Sequence, residues 1–192
     1  VCRLLLEKKN RRFYGGFCYF NNAAIAAQYL VSQGKVAILD IDFHHGNGTQ
    51  DIFYDREDVL TLSIHGTPDY AYPYFSGYEN ETGEGAGAGF NRNLELAPQA
   101  DEAKYLRVLD RAIEQIEQFQ PEVLIVGLGF DIMKGDPTGT LLLTASSMRQ
   151  IGRKLAEVGL PTLVVQEGGY NVRNIRRGSV AFFTGCAEGI VG

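Results

Sequence analysis

Four stretches of the chain are apolar enough to read as buried strands, and each gives way to polar or glycine-rich residues. Val36-Ala37-Ile38-Leu39 is a continuous apolar run, the pattern of a strand covered on both faces. Val59 to His65 (VLTLSIH) reads as a second strand, Glu122 to Phe130 (EVLIVGLGF) as a third and Leu160 to Gln166 (LPTLVVQ) as a fourth. Helical patterns lie between them. Asn21-Asn22 caps an alanine-rich helix that runs to about Gln33 and is stopped by Gly34. A short helix is predicted over Asn47 to Tyr54. Asp101 to Phe119 is amphipathic, with Tyr105, Leu109, Ile113 and Ile116 on one side. Thr144-Ala145-Ser146 starts a helix to about Gly159, and a last helix fills about Ile175 to Ile190. Strands alternating with helices predict an α/β domain with a mostly parallel sheet. Four strands with so few helices make a thin domain whose sheet edges need cover. That thinness, and a chain opening on Val1, predict a fold incomplete at the N-terminus.

The remaining segments divide into two kinds. Residues 1–12 are a basic lead-in (Arg3, Lys8, Lys9, Arg11, Arg12), separate from one domain over 13–192. Tyr14-Gly15-Gly16-Phe17 is a turn with aromatic flanks. Gly66 to Gly89 is a long loop, and loops of that length are functional or disordered. Its four tyrosines, one phenylalanine and two prolines argue for function.

Composition narrows the partners. A net charge of −5 with no long basic run excludes nucleic acid and suits a cationic ligand. No apolar run of transmembrane length is present, so a membrane is excluded too. Cys2, Cys18 and Cys186 lack metal-ligand spacing and are odd in number, which predicts reduced thiols in a cytoplasmic protein.

The chemistry gathers where the strands end. The first strand runs into Asp40, Asp42 and His44, spaced by two and therefore on one face, ahead of a Gly46-Asn47-Gly48 turn. Open α/β sheets hold ligands at that end. The third strand delivers Asp131, and the fourth opens into Glu167-Gly168-Gly169-Tyr170. Two carboxylates and one imidazole leave a coordination position open, as in catalytic zinc sites. Such a metal polarises a carbonyl, and Tyr170 could donate its hydroxyl to the oxyanion that forms. Two bland readings stay open: Asp131 as a helix cap and Tyr170 as a core aromatic.

GFCYFNNAAIAA, ILDIDFHHGNGTQDIFY, GLGFD…GDP and EGGYN, in this order, resemble the histone deacetylase and acetylpolyamine amidohydrolase superfamily. The middle loop, HGTPDYAYPYFSGYENETGEGAGAGFN, is most similar to the bacterial acetylpolyamine amidohydrolases. The resemblance runs from about Phe13 to the C-terminus. It implies the arginase-deacetylase fold, a three-layer α/β/α domain with a parallel sheet. It also implies zinc on Asp42, His44 and Asp131, with Tyr170 as oxyanion donor. Asp40 would help hold a structural potassium ion, completed by main-chain oxygens of Asp42 and His44 with Ser63 and Ile64. Phe17 and Tyr72 would line a tunnel for an acetyl-lysine peptide or a small cationic acetylated amine, with Gly16 at its wall. A homodimer is an open alternative.

The family's R-P-P-G-H-H-A-like segment, which carries its general base, is where the pattern breaks. Arg3 matches, but Leu4, Leu5 and Leu6 replace Pro-Pro-Gly, and the His pair falls on Glu7 and Lys8. A carboxylate such as Glu7 can act as base, whereas Lys8 would be repelled by a zinc ion. Truncation and a pseudoenzyme compete as explanations, and the retained zinc ligands and Tyr170 favour truncation. The expected function is a zinc deacetylase impaired by the missing His pair. The alternative is an inactive metal- or ligand-binding module. A manganese hydrolase of the arginase type is disfavoured by the D-x-D-x-H-H-G run and the EGGY motif.

Overall fold

A computed structural model describes residues 16–191. The lead-in over 1–12, with Arg3, Glu7 and Lys8, lies outside the described residues, as do Cys2, Tyr14 and Gly15. Five strands form one parallel sheet: β1 (Val36–Asp40), β2 (Val59–Gly66), β3 (Asn91–Leu96), β4 (Val123–Leu128) and β5 (Thr162–Gln166). Their order is β3-β2-β1-β4-β5, so β1 sits at the centre. Its register sets Asp40 beside Ser63 of β2 and Gly127 of β4. The C-terminal ends of the three strands thereby converge.

Helices cover both faces. On one, Ala23, Ala24 and Ala27 of α1 (Asn22–Leu30) and Ile52 and Phe53 of α2 (Asn47–Phe53) pack against Val36, Ile38, Val59 and Ile125. On the other lies the larger core. Tyr105, Leu109 and Ile116 of α3 (Glu102–Phe119) and Met148, Ile151 and Leu155 of α4 (Ala145–Glu157) meet Leu39, Leu62 and Leu124. Phe182 of α5 (Val172–Val191) joins the same core. Local signals fix the ends: Asn21 Oδ1 accepts from Ala24 N, Asp101 Oδ1 from Lys104 N, and Thr144 pairs with Ser147 in a capping box.

The structure differs from the sequence expectation in five places. A fifth strand, β3, follows the long loop and pairs with β2. Its polar residues are buried because Asn91 and Asn93 both donate to Gln50 Oε1, at 2.8 and 2.9 Å. α1 ends at Leu30, short of Gly34, while α5 begins at Val172 rather than Ile175. The 66–89 loop contains a 3-10 turn, Gly85–Gly87, and is fastened by Gly77 N donating to Glu81. Cys18 is disulfide-bonded rather than reduced, whereas Cys186 is a free thiol.

Candidate metal centre and its cavity

β1 ends at Asp40, so Asp42 and His44 lie just beyond the ladder rather than on it. Side chains take over as acceptors for the backbone there. Asp40 Oδ1 accepts from Asp42 N at 3.0 Å, Asp131 Oδ1 from Phe43 N at 3.0 Å, and Asp42 Oδ1 from His44 N at 2.8 Å. These bonds hold a bent segment in place, and Asp42 and His44 meet through it. Asp131 arrives from the turn after β4.

The three side chains meet at the His44 imidazole. Its Nδ1 is 3.1 Å from Asp42 Oδ1 and 3.0 Å from Asp131 Oδ2. One ligand atom from each of Asp42, His44 and Asp131 lies within 4.8 Å of the others. Burial and then the Asp42 charge raise the Asp131 carboxyl to about 6. For Asp42 burial is again the largest influence and acts to raise it, but the hydrogen bonds and charge of His44 act together against it and the carboxyl is held low. For His44 burial acts to lower the pKa, and the bonds to Asp131 and Asp42 override it to give about 9. Two buried carboxylates compete for one imidazole proton, and a divalent cation in its place would satisfy both carboxylates and the ring nitrogen. Two oxygens and one ring nitrogen fit zinc, with a position left open.

The third wall is the Gly168 segment. Gly168 N donates to Asp42 Oδ2 at 2.7 Å. A Cβ on Gly168 would strike the Oδ2 atoms of both Asp42 and Asp131. Gly168→Ala is therefore expected to lower zinc affinity about 10–100-fold, the usual effect of disturbing an outer partner of a metal ligand. Competition with a chromogenic chelator measures it, and an unchanged affinity would contradict this account of Gly168.

Asp42 and His44 open into a cavity of about 590 Å³, whose lining includes Phe17, Tyr72, Thr138, Glu167 and Tyr170. Tyr170 is thus at the cavity, not in the core, and its ring meets Phe17 edge-on at 5.9 Å between centroids. Burial, with the charges of Asp42 and Asp131, pushes its phenol up to about 12. Gly16 also lines the cavity, and Tyr72 stands 6.3 Å from the His44 ring. Asp136, quoted in the GDP motif without a role, fixes the Tyr170 loop. Its Oδ2 accepts from Tyr170 N at 2.8 Å and Asn171 N at 3.1 Å, and its Oδ1 from Thr138 N at 3.0 Å. A lone Asp after Gly135 carries no signal of such reach in the sequence.

Asp40 is buried beneath this layer, in a small void of about 10 Å³ that Gly46 and Ser63 also line. Burial and then the Asp42 and Glu167 charges raise its carboxyl to about 8. Ile64 is fully buried on β2. The other two imidazoles are locked away from the cavity. His65 bonds Ser63 Oγ at 2.8 Å and Gly77 O at 2.9 Å, and His45 packs on it at 4.6 Å. Burial lowers the pKa of both, so they are neutral.

A parallel sheet whose strand ends gather two aspartates, a histidine and a tyrosine around one cavity defines a class. The model of the histone deacetylase domain matches residues 9–186, and the chain belongs to the histone deacetylase family. Its relatives give the nearer likeness. Acetylpolyamine amidohydrolase 2 of Pseudomonas aeruginosa is 51% identical over 165 residues, covering 85% of this chain and 48% of the relative. Acetylpolyamine amidohydrolase of Mycoplana ramosa is 47% identical over 164 residues, 84% of this chain and 48% of the relative. The crystal structure of acetylpolyamine aminohydrolase from Burkholderia pseudomallei superposes with a TM-score of 0.89 at 42% identity. It covers 91% of this chain and 52% of that one. A histone deacetylase homologue from Aquifex aeolicus gives 0.85 at 31%, with 93% and 48% covered. The chain spans about half the length of the curated relatives it matches. Among the described residues, no helix is long and apolar enough to cross a membrane.

Proposed function

We propose that this chain carries the metal centre of a zinc-dependent amidohydrolase that deacetylates small cationic amines, acetylated polyamines foremost, with acetyl-lysine peptides as the alternative. The carrying observation is the convergence of Asp42, His44 and Asp131 at the foot of an aromatic cavity. Zinc held by these three would supply Lewis-acid polarisation of the acyl carbonyl. Tyr170 donates its phenolic hydrogen to the carbonyl oxygen as negative charge develops there. That phenol stays protonated throughout the neutral range, as a donor must. Phe17 and Tyr72 flank the methylene chain and keep water from it, Gly16 lets the wall come close, and the net charge of −5 attracts the ammonium tail. The substrate reading also draws on the likeness to acetylpolyamine amidohydrolases. Acetate release from N-acetylputrescine above background, absent in an Asp131→Ala control, tests the function. No difference between the two proteins after prolonged incubation would refute it.

Asp40 and Ser63, with the main-chain oxygens of Asp42, His44 and Ile64, are assigned to a structural potassium ion under the same reading. The supporting observation is a buried carboxylate, Asp40, that shares a small void with Ser63. Potassium at 100 times its dissociation constant would add about 2.7 kcal/mol to stability. For a chain of this size that is a rise of about 5–10 °C in Tm. Melting in potassium chloride against tetramethylammonium chloride at equal ionic strength reads it, and identical Tm values would remove the assignment.

A further inference from the structure

A second, smaller cleft of about 160 Å³ adjoins the main cavity and shares His44, Tyr72 and Thr138 with it. Tyr70 and Tyr74 line this cleft and not the main cavity. Tyr72 is the partition between the two. Its ring meets that of His44 edge-on at 6.3 Å and that of Tyr74 edge-on at 6.1 Å. A chain that leaves the metal centre between Phe17 and Tyr72 therefore has the cleft directly over the partition.

Three features of the cleft select a cationic alkyl arm. Its floor is apolar, with Phe43, Ala71 and Leu96. Its rim is aromatic, and Tyr70, Tyr72 and Tyr74 remain 73%, 41% and 49% exposed. Exposed ring faces of this kind attract an ammonium group. The surrounding charge is negative: residues 66–100 hold Asp69, Glu79, Glu81, Glu84 and Glu95 against Arg92 alone. Glu95 stands directly behind the cleft, where its Oε2 accepts from Thr67 Oγ1 at 2.9 Å. Asp69 accepts from the Tyr78 hydroxyl at 3.0 Å on the same flank. The volume equals roughly five waters at about 30 Å³ each, which matches an aminopropyl or aminobutyl arm.

The backbone adds an independent mark. Tyr74 and Phe75 have φ of +57° and +56°, a left-handed conformation that aromatic residues rarely adopt. Strain of that kind persists where the surroundings hold a side chain in a set place.

The geometry points to this cleft as a distal subsite that receives the second aminoalkyl arm of an acylated polyamine, with Tyr70 and Tyr74 as its specificity-determining side chains. The inference rests on the amidohydrolase reading of the neighbouring cavity. It assigns preference for triamines over simple amides to two residues outside the metal centre.

The test is a ligand-observed titration of the zinc-loaded 192-residue chain with N8-acetylspermidine and N-acetylbutylamine, which share the acyl end and differ in the charged arm. Acetylspermidine is expected to bind more tightly. Tyr74→Ala and Tyr70→Ala should each weaken acetylspermidine about 3–10-fold and leave acetylbutylamine unchanged, while Tyr74→Phe keeps the ring and the affinity. If both alanine variants bind acetylspermidine as the parent does, the subsite is refuted while the amidohydrolase reading stands. If Tyr74→Ala weakens both probes alike, the ring supports the loop rather than the ligand, and the subsite is again refuted. If neither probe binds the parent chain, the amidohydrolase reading itself falls and takes this use of the cleft with it.

Discussion

Replacing Asp131 with alanine is expected to strip the chain of zinc. Loss of a mere outer partner of a metal ligand costs about 10–100-fold in affinity, so loss of a direct ligand should exceed about 100-fold. Alanine, however, also removes the acceptor of the buried Phe43 N–H, which Asp131 Oδ1 holds at 3.0 Å. An unpartnered buried donor costs about 1–3 kcal/mol, so Asp131→Ala should melt earlier as well. Asp131→Asn separates the two effects. Its side-chain carbonyl can still accept from Phe43 N, but the carboxylate charge is gone. The expected result is a near-native melt for the asparagine variant with zinc affinity lowered nearly as far as in alanine. Metal analysis after dialysis, with melts of both variants, reads the outcome. Zinc retained at one equivalent in either variant would end the assignment of Asp131 as a ligand.

How far the centre was legible in the sequence follows from what each residue depends on. The buried strand at Val36 was legible because a parallel strand covered on both faces has no polar interruption, and its burial is complete from Val36 to Asp40. Asp42 and His44 were legible from a spacing of two, although neither lies in the strand. The chain bends at 42–44 rather than alternating, and side-chain oxygens of Asp40, Asp42 and Asp131 hold that bend so that the two side chains still meet. By contrast, β3 was not legible. NRNLEL has a poor strand composition, and the amide nitrogens of its asparagines donate to Gln50 of α2 and to the carbonyls of Tyr78 and Glu81. Those partners are distant in sequence, so no local pattern announces them. The same holds for Asp136, whose importance to Tyr170 is a contact across 34 residues.

The aromatic loop shows a similar division. Its tyrosines marked it as functional, and Tyr72 does stand against His44. What composition left open is that Tyr70 and Tyr74 turn away from that cavity and line the neighbouring cleft. The 66–89 segment reaches this arrangement because its polar groups are satisfied both from within and by the elements beside it. Gly77 accepts from His65, and Glu81 accepts from Gly77 and Tyr78. A loop so fastened can present rings to solvent without collapsing onto the sheet.

Turnover by this chain is expected to be slow even with its zinc in place. Attack on the carbonyl needs a base within hydrogen-bond reach of the incoming water. The sequence holds three histidines. His44 is engaged by Asp42 and Asp131, while His45 and His65 are 1% and 0% exposed and bonded away from the cavity. None is free for the task. General acid–base groups contribute about 10²–10⁴-fold, and ordinary enzymes turn over near 10 s⁻¹. The chain should therefore work at roughly 10⁻³–10⁻¹ s⁻¹. A fluorogenic acetyl-lysine assay and an N-acetylputrescine assay, each beside Asp131→Ala, measure this. A rate of about 1 s⁻¹ or faster would show that Glu7 or another group serves as base. Glu167 lines the cavity and burial raises its pKa, while Glu7 stands at the His-pair position in the sequence. Glu167→Gln and Glu7→Gln would then identify which one, since the base's variant alone should fall back to the slow rate.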